Sequence, residues 1–279
     1  MTQPRRFTQL DVFSAQALRG NPLAVVHQAQ GLSDAQMADF ACWTNLSETT
    51  FLLPPTDAGA DYRVRIFTPG GELPFAGHPT LGSCQAWLDA GGVPQQAGRV
   101  VQECGVGLVT VRQDGPRLAF AAPPLRRSGP ADAATRAQIA LALRLPDAAL
   151  LRCEWVDNGP GWVAALLADG AAVQALQPDF SAMAGLKLGV VGPWPEGREC
   201  RFEVRAFVPG LGVPEDPVTG SLNAGLALWL MAAGLAPTRY VAAQGAALGR
   251  AGRVHVVQED GQTWIGGEVL TLISGTVSL

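Results

Sequence analysis

Arg65-Ile66-Phe67-Thr68-Pro69, continued by His78-Pro79-Thr80-Leu81-Gly82-Ser83, decides the fold, because the chain states it a second time. The second statement is Arg205-Ala206-Phe207-Val208-Pro209, continued by Asp216-Pro217-Val218-Thr219-Gly220-Ser221. Gly82 and Gly220 stand 138 positions apart, and the serines after them keep that spacing. Each block runs into an apolar stretch, 81–88 and 222–231. Further out, Asn21-Pro22-Leu23-Ala24-Val25-Val26 has a weaker echo at the same spacing in Gly159-Pro160-Gly161-Trp162-Val163-Ala164. The β-rich runs 107–111 and 252–257 lead to Asp114-Gly115 and Asp260-Gly261, both hairpin signals. A repeat of this size is a domain and not a solenoid unit.

Within each half, strands interleave with single helices. Strands are expected at 7–13, 23–27, 50–53, 61–67, 100–111 and 117–121, then at 153–155, 162–167 and 202–207. Ser33-Asp34 is an N-cap for a helix through Trp43, and further helices are expected at 80–90, 133–145 and 220–233. Residues 123–130, with Pro123-Pro124 and Pro130, read as a linker. The fold class is α+β: two pseudo-symmetric lobes from an internal duplication, each a mixed or antiparallel sheet around a central helix. The segment 222–231 is apolar nearly all round, as an enclosed helix requires.

The composition narrows the function. Among 279 residues, 24 acids against 20 bases give a net charge of −4 with no basic run, which argues against nucleic acid and anionic membranes as partners. The longest apolar run, 224–236, is too short to span a bilayer. No export signal is read at the start, and five scattered cysteines suit a reducing cytosol. A small-molecule site in a cytoplasmic protein is the expectation.

In this reading, each central helix opens after a polar residue and a proline. Backbone N–H groups at two such starts would hold a carboxylate and a developing oxyanion, with Thr80, Ser83, Thr219, Gly220 and Ser221 around them. Plain capping explains the same hydroxyls. His78 and Asp216 each lie four residues before the shared glycine, so they read as a symmetry-broken pair, either catalytic or a structural hydrogen bond. A carboxylate beside the imidazole would raise its pKa. Glu72 and Glu215 read as loop-fixing salt bridges. Glu48 precedes the apolar Phe51-Leu52-Leu53, and counting back from matched strand ends pairs it with Lys187. It is either a solvated acid or, with burial raising its pKa, a base for proton abstraction beside a carboxylate.

Asn45-Leu46-Ser47-Glu48-Thr49, Phe67-Thr68-Pro69 through Gly77-His78-Pro79-Thr80-Leu81-Gly82, and Val213-Pro214-Glu215-Asp216-Pro217-Val218-Thr219-Gly220-Ser221 resemble the signature blocks of the PhzF family. So do 11–25 and Gln244-Gly245 followed by Gly249-Arg250. The resemblance implies a diaminopimelate epimerase-like fold, a homodimer, and isomerisation without metal or organic cofactor. The family's phenazine-pathway member acts on trans-2,3-dihydro-3-hydroxyanthranilate. In that member the glutamate matching Glu48 moves a proton, and residues matching His78 and Asp216 help position it. Gly77, Gly220 and Ser221 match residues at the substrate's polar groups.

The resemblance also implies that the site lies between the lobes. The strands Arg117–Ala121 and 270–277 would cross between lobes, giving a first lobe of 1–118 with 265–279 and a second of 119–264. Two-thiol racemase chemistry is disfavoured, since no cysteine sits in either block before its glycine. Leu222 replaces the usual alanine, which would narrow the pocket. A binding or assembly protein that keeps the fold without turnover is the alternative to an isomerase. The retained set Glu48, His78 and Asp216 favours the isomerase.

Overall fold

A computed structural model describes residues 2–211 and 213–279. The chain divides into two compact units, Met1–Ala121 with Gly266–Leu279, and Ala122–Ile265. In the first unit, β1 (Pro4–Val12) and β2 (Asn21–Val26) pair antiparallel, and β3 (Glu48–Leu53) runs parallel to β2. Antiparallel to β3 comes β4 (Tyr62–Thr68), which turns back into β5 (Gly71–Leu73) and takes β6 (Arg99–Cys104) in parallel on its far side. An antiparallel meander, β7 (Gly107–Asp114) and β8 (Arg117–Ala121), completes this side. On the other side the C-terminal strand Val269–Ser278 pairs along β1.

The sheet wraps around helix α2 (Gly77–Asp89), which touches β1, β2, β3, β6, β7 and β8. Helix α1 (Asp34–Thr44) lies on β3 and β4, where Met37, Phe40 and Ala41 pack on Val26, Phe51 and Phe67. Ser33 caps its start, as expected from the sequence, and Gln36 completes a reciprocal capping box.

The second unit repeats this order. It holds β9 (Arg127–Pro130), α3 (Ala133–Leu143), β10 (Arg152–Asp157), β11 (Trp162–Leu166), α4 (Gly170–Gln174) and β12 (Lys187–Pro193). After these come β13 (Phe202–Phe207), β14 (Glu215–Asp216), α5 (Gly220–Ala232), β15 (Arg239–Gln244), β16 (Gly252–Glu259) and the larger part of β17 (Gln262–Gly267). The pairings β10–β11 antiparallel, β11–β12 parallel, β12–β13 antiparallel, β13–β15 parallel and β15–β16 antiparallel reproduce the first unit strand for strand. Helix α5 is the central helix, with Leu222, Leu226, Trp229 and Leu230 all buried. Each such leucine contributes about 1.5–3 kcal/mol of burial. The α+β class and its central helices are therefore as expected.

Three local expectations are corrected. Residues 123–130 are not all linker: Arg127–Pro130 is β9, paired with β10 as the C-terminal strand is paired with β1. So β9, and not Arg117–Ala121, is the counterpart of the C-terminal strand; Arg117–Ala121 pairs with β7 in the first unit. The run 100–111 is two strands, broken at Gly105-Val106.

Candidate active site

The duplication holds in three dimensions with a different register from the one the sequence suggests. Glu72 lies opposite Phe67, and Glu215 opposite Phe207. Five residues after each glutamate the central helix opens, at Gly77 and at Gly220. The glycines that let each helix approach its sheet are Gly82 and Gly225. A Cβ on Gly82 would lie 2.5 Å from Leu23 Cδ2, and one on Gly225 2.3 Å from the Val156 carbonyl oxygen. Gly82 is thus the partner of Gly225, not of Gly220. The equivalent of His78 is Ser221, and Asp216 corresponds to Leu73.

This register relocates two candidates. Helix α2 opens before His78-Pro79, because proline is tolerated in a first turn whose N–H groups have no intrahelical acceptor. Ser83 therefore lies inside the helix. It is fully buried, and its hydroxyl donates to Thr50 Oγ1 at 2.9 Å, so it faces the core and not a helix start. Thr80 is likewise buried; its hydroxyl donates to the Ala76 carbonyl and accepts from Gln102 Nε2.

The structure brings Glu48 and His78 together. α1 ends at Asn45 in the left-handed region (φ 54°), and the chain turns so that Glu48 opens β3 opposite Leu23. Glu48 Oε2 lies 3.5 Å from His78 Nε2, with 13% and 3% of the two side chains exposed. The His78 pKa is not raised. Burial pushes it down to about 3, against a raising contribution from the Pro22 carbonyl. A neutral imidazole therefore faces Glu48 throughout the physiological range. On its other side, His78 Nδ1 lies 3.2 Å from Asn21 Nδ2, and Ser47 Oγ donates to Asn21 Oδ1 at 3.4 Å.

The second unit builds the other group of candidates. Thr219 Oγ1 donates to Asp216 Oδ2 at 2.6 Å, and Gln244 Nε2 donates to the Asp216 carbonyl and to Thr219 Oγ1. Gln244 Oε1 accepts from Thr219 N and Asn223 Nδ2. Gly245 (φ 96°) is required beside it, since a Cβ there would lie 2.7 Å from the Pro217 carbonyl oxygen. Trp162 Nε1 donates to Ser221 Oγ at 3.0 Å, and Asn158 Nδ2 donates to the Ser221 carbonyl at 2.9 Å. Leu222 is fully buried and packs over Gly189 of β12, so it fills the core of its unit rather than narrowing a pocket.

Helices α1, α3 and α4 are capped by the side chains of Ser33, Asp132 and Asp169. The central helices α2 and α5 have no side-chain hydrogen bond from Ala76 or Thr219. The N–H groups of Gly77 and His78, and of Gly220, Ser221 and Leu222, lie in first turns where no intrahelical acceptor exists. Such a start attracts an anion.

Glu72 and Glu215 are structural, as expected. Each accepts a two-pronged bond from its strand arginine, Arg65 or Arg205. The sequence reading missed Asn21, Gln102 and Gln244 as side chains that brace these helix starts. Asn21-Pro22 and Gln244-Gly245 were visible as repeated or family blocks; Gln102 carries no signal beyond its place on a strand.

The profile of the phenazine biosynthesis-like protein family, PhzC-PhzF, matches residues 10–275. The chain is 36% identical over 230 residues to the trans-2,3-dihydro-3-hydroxyanthranilate isomerase of Pseudomonas aeruginosa, covering 81% of this chain and 79% of that protein. It is 35% identical over 289 residues to antisense-enhancing sequence 1 of Schizosaccharomyces pombe, covering 96% and 97%. Among solved structures, a predicted epimerase from Pseudomonas aeruginosa superposes with a TM-score of 0.80 at 29% identity, covering 98% and 99%.

Proposed function

The chain belongs to the phenazine biosynthesis-like (PhzC-PhzF) family and is an isomerase, and from that premise we propose that Glu48 moves a proton within a small cyclic or amino-acid-like carboxylate. The observation that carries the reading is the pairing of a nearly buried carboxylate with a buried neutral imidazole at an uncapped helix start.

The Glu48 carboxylate takes a proton from a carbon next to a carboxylate or ring carbonyl. The C–H electron pair moves into the adjacent π system, and the charge builds on oxygen. Glu48, now protonated, returns the proton to a different carbon. The step is redox-neutral and needs no electron acceptor. His78 stays neutral and holds the carboxylate in place. The N–H groups of Gly77 and His78 face developing negative charge.

In the second unit, Gly220 and Ser221 are assigned to polar groups of the substrate. The Ser221 oxygen already accepts from Trp162, which leaves its own proton to donate. Asp216 and Thr219 are assigned to positioning the substrate. The reaction named for the Pseudomonas relatives, on trans-2,3-dihydro-3-hydroxyanthranilate, defines the substrate class to test first.

The experiment is a screen of that compound and related cyclic carboxylates for deuterium uptake from heavy water, followed by Glu48→Gln on any compound that exchanges. The variant keeps the shape and removes the acceptor. Exchange should fall by about 10²–10⁴-fold, the usual contribution of general acid–base catalysis. Undiminished exchange in the Gln variant would remove Glu48 from the mechanism.

A further inference from the structure

We propose that Asn21 is a positioning residue that fixes His78 in the tautomer carrying its proton on Nε2, so that the imidazole donates toward Glu48 and cannot serve as a second base. The proposal rests on the reading of Glu48 as proton carrier, and it adds a role for a residue outside that set.

The argument is one of hydrogen-bond polarity. Asn21 is fully buried at the first position of β2. Its carbonyl oxygen is engaged by the Ser47 hydroxyl at 3.4 Å, which turns the amide NH2 toward His78 Nδ1 at 3.2 Å. An amide NH2 only donates. Nδ1 must therefore present its lone pair, and a neutral ring then carries its hydrogen on Nε2. Nε2 stands 3.5 Å from Glu48 Oε2, an electrostatic contact longer than a normal hydrogen bond. The opposite tautomer gains a hydrogen bond to the Pro22 carbonyl but makes two errors at once. It sets N–H against N–H at Asn21, and a lone pair against a carboxylate oxygen at Glu48. Burial keeps the ring from escaping both by taking a second proton.

The second unit has a related contact. Ser221, the equivalent of His78, is also met by a buried asparagine: Asn158 donates its Nδ2 to the Ser221 carbonyl. The scaffold thus brings an asparagine donor to the second residue of each central helix. In the first unit the acceptor has become a side chain that can be polarised.

The direct test is nitrogen-15 NMR of the imidazoles. The chain has three histidines, His27, His78 and His255, so the His78 resonances are assigned by their loss in His78→Asn. In the unmodified protein at neutral pH, His78 Nδ1 should show the shift of an unprotonated ring nitrogen and Nε2 that of an N–H. In Asn21→Asp a carboxylate replaces the donor, and Nδ1 should become protonated. With a substrate from the deuterium screen, that variant should lose kcat by about 10–100-fold with KM little changed, the scale on which a hydrogen bond to a charged group acts. A protonated Nδ1 in the unmodified protein would overturn the proposal and leave the Pro22 carbonyl as the group that sets the tautomer. An unchanged tautomer in Asn21→Asp would overturn it as well. The NMR result does not depend on turnover, so failure here is separate from failure of the Glu48 assignment, which the Gln variant tests.

Discussion

In the first unit the strand parallel to β2 opens on Glu48, and the central helix opens on Gly77-His78. In the second unit the same two places hold Lys187 and Gly220-Ser221. The frames agree strand for strand: Glu48 lies opposite Leu23, and Lys187 opposite Trp162. Both helices start without a side-chain cap, and both are braced from behind by a glutamine, Gln102 or Gln244. What differs is the charge of the strand residue and the chemistry of the second helical residue. One unit carries an acid and a neutral ring. The other carries a base, its pKa lowered by desolvation against the Asp157 charge, and a hydroxyl. The duplication supplies two equivalent seats, and divergence at those seats gives them different chemistry.

The twin arginine–glutamate pairs give the sharpest stability contrast. Arg205 and Glu215 are 7% and 6% exposed, whereas Arg65 and Glu72 are 18% and 42% exposed. Removing one partner of a buried pair strands the other, at about 3–5 kcal/mol. An exposed pair is worth about 1 kcal/mol or less. Glu215→Ala should therefore lower stability several-fold more than Glu72→Ala in urea titration. Equal losses would mean that the two hairpins are not braced differently.

The helix glycines separate the units by a smaller margin. A methyl at Gly225 meets the backbone oxygen of Val156, while one at Gly82 meets the end of the Leu23 side chain. Overpacking costs about 1–3 kcal/mol, and a backbone atom yields less than a leucine methyl. Gly225→Ala should sit at the upper end of that range and Gly82→Ala at the lower, measured as thermal midpoints. The reverse order would undo the register that pairs these two glycines.

The most gradual effect is one of pH. Burial holds His78 at about 3, and burial together with Arg6 holds His27 at about 4; both lie in the first unit. An unfolded histidine titrates near 6.5. Below that value the unfolded chain binds protons that the folded one refuses. Stability is therefore full above about pH 6.5 and falls as pH drops toward these folded values, by at most about 1.4 kcal/mol per pH unit for each group. His78→Asn should flatten the fall by up to one proton, read from denaturation at several pH values. An unchanged slope would contradict a neutral, buried His78.

Much of this was legible in the sequence because the duplication left long blocks intact. The α+β class, the central helices and the Arg–Glu braces follow from them. The register at the helix starts was hidden by a coincidence of small residues. Gly82-Ser83 matches Gly220-Ser221 letter for letter, yet one lies within its helix and the other opens it. Proline at 79 made the true first turn look like a loop. The strand Arg127-Ser128-Gly129-Pro130 shows no apolar alternation, because its side chains are largely exposed and backbone pairing defines it. The histidine pKa was misjudged for a related reason: sequence shows a neighbouring acid but not the depth of burial, and burial outweighs the rest.

The division of labour between the two seats is tested most directly by measuring deuterium uptake into one exchanging carboxylate for Glu48→Gln and Lys187→Gln side by side, at saturating substrate. Glu48→Gln should lose exchange by about 10²–10⁴-fold, while Lys187→Gln keeps it within about tenfold of the parent. Loss of the same size in both variants, or a larger loss at Lys187, would contradict the assignment of the proton to the first unit.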